Sequence, residues 1–315
     1  MMELIKPGTK IDFISKLKLF FTISGLLMAV CLGIIFTKGF NFGIDFAGGT
    51  VVQVKFNQPV TLEEIRTGLT PAIGSDFMLQ NFGEMDEIII RIVENPDTSL
   101  QALSEAIKSQ LEDKFSTLEP KIQRVEQVGP QVGSELKKKA YWAMIWSIVG
   151  ILLYVAIRFQ FFYGISAIIA LVHDVVFTLG IYSISGKEFS ITAMAALLTV
   201  VGYSLNDKIV IFDRIREKVK GGALNTMSWK ELINKSINEC LTRTVMTSLL
   251  TFLAAISLYI FGGEVINGFA LMMMVGIIIG TYSSMGIAAM VVYLLRNKLG
   301  KATAEKAVTA KVISK

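Results

Sequence analysis

A chain of 315 residues that is 52% hydrophobic and 18% charged, with mean hydropathy +0.56 and net charge +5, is not composed like a soluble enzyme, for which about 25% charged residues is usual. Its 26 Gly and 6 Pro are too few for a collagen-like or disordered chain. Two cysteines exclude a disulfide scaffold and a cysteine-built zinc site, and one histidine excludes an HExxH protease and most metal sites.

The first predicted element is an apolar run over about residues 19–36, preceded by Lys6, Lys10, Lys16 and Lys18. A signal peptide has a similar charge pattern. Here the run is longer than a secretory core and no A-x-A site follows Phe36, so an uncleaved membrane helix is expected. Cys31 lies too deep in the run for a lipoprotein cysteine.

Next comes an insert without cysteine that carries 8 basic and 14 acidic residues between Lys38 and Ser134. Val51–Phe56 is β-branched and extended. Thr61-Leu62-Glu63-Glu64 is a capping-box start to a short helix that is expected to end near Gly68. Phe77–Phe82 and Glu87–Val93 read as strands around a turn at residues 83–86. Leu100, Leu103, Ile107, Leu111 and Phe115 mark an amphipathic helix over Ser99–Phe115, and Lys121–Val128 alternates as a strand. The order β-α-β-β-α-β is that of a ferredoxin-like α+β domain, a fold that names no function.

Five further apolar runs fill about residues 140–157, 161–184, 189–212, 245–261 and 269–295. Each approaches or exceeds the roughly 17–25 residues that cross a bilayer. The fold class is therefore an α-helical polytopic membrane protein, six transmembrane helices with the α+β domain between the first and second. The expected segments are 1–37 (N-terminus and first helix), 38–139 (external domain), 140–298 (helices two to six) and 299–315 (tail).

With the N-terminus in the cytoplasm, basic residues crowd the inner flanks: Lys6 to Lys18, Arg158, Arg214 to Arg243, and Arg296 to Lys315. The outer flanks hold Lys38, Lys137, Lys138, Lys139 and Lys187. Both termini are then cytoplasmic and the acidic insert is outside. The net basicity is a topology signal, and no nucleic-acid partner is implied.

Ionisable residues inside a span are costly and mark function by default. The third run holds His173-Asp174, the fourth Asn206-Asp207-Lys208 and then Asp213-Arg214, and the fifth opens with Arg243. Asp174 and Asp207 should face the bundle interior. His173-Asp174 reads equally as a packing pair. Lys208 is expected to snorkel toward headgroups. Asp213, Arg214 and Arg216 read as a solvated helix end, and Arg243 reads equally as a cytoplasmic anchor. No anchor role suits Asp207. Gly276-x-x-x-Gly280 permits tight helix packing, and the 14 methionines, Met272–Met274 among them, read as lipid-facing or core filler.

Four stretches carry a resemblance: Phe42-Gly43-Ile44-Asp45-Phe46-Ala47-Gly48-Gly49-Thr50, Val172-His173-Asp174-Val175, Val201-Gly202-Tyr203-Ser204-Leu205-Asn206-Asp207 running on through Ile211-Phe212-Asp213-Arg214-Ile215-Arg216-Glu217, and Thr242-Arg243-Thr244. In order and topology they resemble the SecD/SecF protein-export family of the RND superfamily, on its SecF side, over nearly the whole chain up to about Leu299. Lys208 departs from the pattern, since many relatives carry a small hydroxyl residue there.

The resemblance implies a SecD partner completing a twelve-helix RND-like unit in the bacterial inner membrane. That pair assists the SecYEG channel and the SecA ATPase, using the proton motive force to finish release of a translocating polypeptide. It implies no cofactor beyond the proton gradient, with sodium as the alternative coupling ion, and no enzymatic activity. By the same resemblance Asp207 is the proton-carrying carboxylate and Arg243 its basic partner, with Asn206, His173, Asp174, Asp213 and Arg214 in support. The rival readings are a stand-alone RND-type small-molecule exporter, a passive scaffold and an intramembrane protease. The last lacks a GxGD motif, and Gly202-Tyr203-Ser204 continues to Leu205 rather than completing a serine motif.

Overall fold

The computed structural model describes residues 9–82, 84–92 and 100–297. The expected tail, 299–315, and the Val93 and Ser99 ends of two predicted elements lie outside them. The described chain forms two units.

The first unit comprises the chain up to Phe40, Met144–Lys187, and Thr192 onward. Among the described residues, six helices are long and apolar enough to cross a membrane: α1 (Leu17–Lys38), then, after three helices of the second unit, α5 (Pro130–Arg158), α6 (Phe161–Ser185), α7 (Ile191–Lys220), α8 (Trp229–Phe261) and α9 (Gly263–Ser283). The last continues through a π turn at Ser284–Ala288 to Asn297. In water such apolar surfaces would drive collapse. Here α6, α7 and α9 are mostly buried within the bundle, whereas α1, α5 and α8 leave most of their apolar surface outward. The inner three bring the polar residues together.

Small residues set how closely those helices approach. A Cβ on Gly276 would lie 2.3 Å from both Val200 methyls, and one on Gly280 3.1 Å from Ser204. Tight packing of α9 on α7 is thus the role of the Gly276-x-x-x-Gly280 pair. Near the start of α8, Asn234 Oδ1 accepts from the amides of Phe13 and Ile14 at 3.0 and 3.1 Å, and its Nδ2 donates to Asp12. The buried Phe13 and Ile14 side chains are held against the start of α8 by those bonds.

The second unit comprises Asn41–Ala143 and Glu188–Ile191. Its strands β2 (Gly49–Lys55), β3 (Phe77–Phe82), β4 (Glu84–Ile92) and β5 (Lys121–Val128) form one antiparallel sheet in the order β3-β4-β2-β5. With α3 (Leu62–Ile73) and α4 (Leu100–Lys114) between them, this is the ferredoxin-like order. One sheet face and the two helices enclose Val52, Val54, Ile65, Leu69, Ile88, Ile90, Ile107 and Leu111.

Three local details differ from expectation. α3 starts at the predicted capping box, but it runs past Gly68 to Ile73 with Pro71 inside. Gly68 is a contact point, because a Cβ there would lie 2.5 Å from the Phe115 ring. β4 begins at Glu84 rather than at the expected Glu87, and Glu84 pairs with Phe82. A short parallel pair, β1 (Asn41–Phe42) with β6 (Glu188–Phe189), was not legible at two residues per strand.

The segment that carries part of the resemblance has a physical reason for its glycines. The single turn α2 (Ile44–Ala47) ends at Gly48 and Gly49, whose φ angles are 72° and 113°, a region that side chains disfavour. A Cβ on Gly133 would meet the Gly48 amide at 3.1 Å. Asp45 Oδ2 accepts from the Ile191 amide at 3.0 Å.

Candidate ion-coupling site in the helix bundle

α7 carries two polar columns on neighbouring faces, each spaced four residues apart. Tyr203 and Asp207 form one and Ser204 and Lys208 the other. Asp207 is 2% exposed, and Lys208 is fully buried.

The first column meets α8 and α9. Asp207 Oδ2 accepts from Ser248 Oγ at 3.2 Å. Ser248 in turn receives Thr281 Oγ1 at 2.7 Å and Tyr203 OH at 3.4 Å. No ion pair to Asp207 is present among the described residues.

The second column meets α6 and α9. Lys208 Nζ donates to Asp174 Oδ2 at 2.7 Å, Ser283 Oγ at 3.1 Å, the Ser204 carbonyl at 3.2 Å and Ser204 Oγ. Ser204 and Ser283 hydroxyls both donate to Asp174 Oδ2. The other carboxylate oxygen lies 3.0 Å from His173 Nδ1. The His173 ring packs on Phe177 and Tyr282, with centroids 4.4 and 6.1 Å away. Its buried Nε2 has no hydrogen-bond partner among the described residues, so the tautomer with the proton on Nδ1 fits this place.

This arrangement corrects the expectation for Lys208. Snorkelling fails because the side chain points inward, where Asp174 on α6 compensates the ammonium and three further oxygens complete its shell. His173-Asp174 is more than a packing pair, since Asp174 is the counter-ion of Lys208.

Arg243 also differs from expectation. It does not open a helix, because α8 begins at Trp229 behind a Ser228–Glu231 capping box. Arg243 is exposed, as is Asn206. Both line an open cleft of about 870 Å³ together with Arg158, Asp213, Arg214 and Glu239. Asp213 accepts from Arg158 at 2.8 Å and Arg216 at 3.3 Å, and Arg214 pairs with Glu217 and Glu239, each at 2.6 Å. These pairs are substantially exposed and form the solvated helix end that the sequence indicates.

Residues 107–298 match the family model described as "Protein export membrane protein SecD/SecF, C-terminal", and residues 33–60 match that of the SecD/SecF GG motif. The protein translocase subunit SecF of Calditerrivibrio nitroreducens is 52% identical over 296 residues, covering 94% of this chain and 97% of that one. The chain belongs to the SecD/SecF family. Another SecF relative, from Thermodesulfovibrio yellowstonii, is 42% identical over 93% of this chain and 97% of its own. The crystal structure of SecDF, a translocon-associated membrane protein from Thermus thermophilus, superposes with TM-score 0.81 at 38% identity over 92% of this chain. SecDF in a super-membrane-facing form gives TM-score 0.71 at 37% identity over 97% of this chain. This SecD/SecF chain spans 39% and 41% of those two longer chains.

Within the SecD/SecF bundle, Tyr203, Ser204, Ser248, Thr281 and Ser283 are the polar partners that sequence reasoning did not assign. The four-residue spacing of Tyr203 from Asp207 and of Ser204 from Lys208 was a signal available on α7 alone. Ser248, Thr281 and Ser283 come from other helices, and their hydroxyls resemble many others in the spans.

Proposed function

We propose that this chain is the SecF-type part of a two-part membrane device. Paired with SecD, it uses the proton motive force to assist late translocation and release of exported polypeptides at the SecYEG channel served by SecA. It acts in the bacterial inner membrane with both termini in the cytoplasm and the ferredoxin-like domain outside. The basic inner flanks support that orientation. The names of its relatives as translocase subunits support a transport role rather than an enzymatic one. The SecDF chains, more than twice as long, support a SecD-like complement.

The observation that carries the reading is Asp207, a carboxylate buried in the bundle whose one hydrogen bond among the described residues comes from Ser248. Asp174 is neutralised by Lys208, so Asp207 is the buried acid whose charge is free to change. Protonation removes a charge from a low-dielectric site and shifts which helix packing is favoured. Each proton crossing the membrane potential contributes about 2.3 kcal/mol per 100 mV. Arg243, with Asn206 in the open cleft, supplies positive potential on the cytoplasmic side of that acid. Asp213 and Arg214 anchor the same end.

Export into inverted vesicles under imposed proton and sodium gradients tests this. Asp207→Asn should abolish the gradient-stimulated component while leaving folding and SecD association intact. Full stimulation in Asp207→Asn would overturn the reading, and the gradient that stimulates wild type identifies the ion.

A further inference from the structure

The Lys208 ammonium sits among four oxygens from two helices besides its own neighbourhood: Asp174 Oδ2 of α6, Ser283 Oγ of α9, and the Oγ and carbonyl oxygen of Ser204 one turn back on α7. One carboxylate, two hydroxyls and one carbonyl form the donor set of a monovalent-cation site. An ammonium has three protons and is close in size to a bare potassium ion. Both serines donate their own protons to Asp174 Oδ2, which leaves their lone pairs facing Nζ. These oxygens are therefore oriented for a cation, and Lys208 fills the place completely: it is 0% exposed, and Asp174 is 1% exposed.

We propose that Asp174, Ser204 and Ser283 form a monovalent-cation site that this chain occupies permanently with its own Lys208 ammonium. The tethered charge keeps Asp174 compensated whatever ions the medium contains. The bundle core at α6, α7 and α9 therefore needs no free sodium or potassium. Removing the tether exposes the site, and a free K⁺ or Na⁺ takes the ammonium's place. The proposal is independent of whether Asp207 carries protons, because it concerns the neighbouring column and a binding equilibrium rather than transport.

Thermal unfolding of the full-length chain in detergent tests it, in chloride salts of choline, sodium, potassium and methylammonium at one ionic strength. Wild type should unfold at the same temperature in all four. Lys208→Ala should unfold several degrees higher in potassium, sodium or methylammonium than in choline, with a saturating dose dependence. Choline is too large for the site and serves as the screening control. A second substitution, Asp174→Asn in the Lys208→Ala background, should remove the salt response. Equal midpoints for Lys208→Ala in all four salts would overturn the proposal, since protonation of Asp174 or entry of water would then replace the lost ammonium. A salt response that survives Asp174→Asn, or a wild type that responds as strongly as the variant, would overturn it too. If Lys208→Ala is recovered unfolded from choline medium, extraction in methylammonium or potassium decides: folded protein supports the site, and its absence overturns it.

Discussion

Lys208 reaches across the bundle to Asp174, 2.7 Å from Oδ2, while Asp207 beside it in the chain turns away toward Ser248 of α8. Two adjacent opposite charges are thus assigned to different partners. Successive residues on a helix point about 100° apart, so they cannot face one another and each takes what the neighbouring helix offers. One charge is cancelled and the other is left with a hydroxyl. That division leaves Asp174 paired with a cation and Asp207, among the described residues, without one.

The cancelled pair should behave as a unit. Lys208→Met and Asp174→Asn, each alone, strand or unbalance a buried charge network. Each is expected to cost about 3–5 kcal/mol, while the double variant costs much less than the sum. Denaturant unfolding of the four proteins gives the coupling directly. Additive losses would mean that the two groups do not share an interaction.

Glycine spacing on α9 makes a sharper packing prediction. Gly276→Ala places a methyl 2.3 Å from the Val200 side chain. Because Val200 is itself buried and branched, α7 and α9 must separate, at about 1–3 kcal/mol. Gly202→Ala has open space around its Cβ and is the matched control, expected to be neutral or slightly stabilising. Equal stability of the two variants would show that close approach at Gly276 is not needed.

Hydropathy alone locates six spans because apolar length is what a bilayer selects, and alternation locates β5, whereas β2 and β4 read as apolar runs because Val51 and Ile89 are buried on one face and Val52, Val54, Ile88 and Ile90 on the other. The ends of elements were harder. α8 starts sixteen residues before its apolar run, since its first turns are amphipathic and the hydropathy threshold misses them. The Ser228-Trp229-Lys230-Glu231 box was the readable signal for that start. Gly68 looked like a helix end because glycine often is one, yet Phe115 from the end of α4 occupies the space that a side chain would need. Lys208 was misjudged for the same physical reason. Snorkelling is a local preference, and Asp174, 34 residues away in the chain, outweighs it. The inward placement of Asp207 was legible because a carboxylate several residues inside a span is costly toward lipid, whereas its partner Ser248 had no distinguishing sequence feature.

The capping box of α3 gives a pH prediction outside the membrane. Thr61 donates to Glu64 through both its hydroxyl, at 2.8 Å, and its amide, at 3.2 Å, and these bonds hold the Glu64 carboxyl below its ordinary range. The unfolded helix start then takes up a proton at a higher pH than the folded one. The contribution of Glu64 is complete above its unfolded pKa of about 4.3 and is lost as pH falls through the lower folded value. Protection factors of the first-turn amides of α3, which are exchange rates corrected for their intrinsic pH dependence, should fall on acidification through that window. Thr61→Ala should lower them already at neutral pH, by about 1 kcal/mol of local stability, and should flatten the pH response. An unchanged pH response in Thr61→Ala would rule out the reciprocal bond as its cause.

Arg243 distinguishes a field from a clasp. It is exposed, it lines the cleft with Asn206, and among the described residues no ion pair joins it to Asp207. An influence on that acid in this arrangement would act through space, where a point charge serves as well as a planar fork. Arg243→Lys should retain most of the gradient-stimulated export, whereas Arg243→Ala should lose most of it, with SecD association unchanged in both. High ionic strength should lower stimulated export less in Arg243→Ala than in wild type, because screening removes part of what the mutation has already removed. Stimulated export in inverted vesicles, measured for the three proteins at low and high salt, provides the check. A Lys variant as impaired as the Ala variant would mean that the guanidinium closes onto Asp207 during the cycle, in an arrangement other than the one seen here.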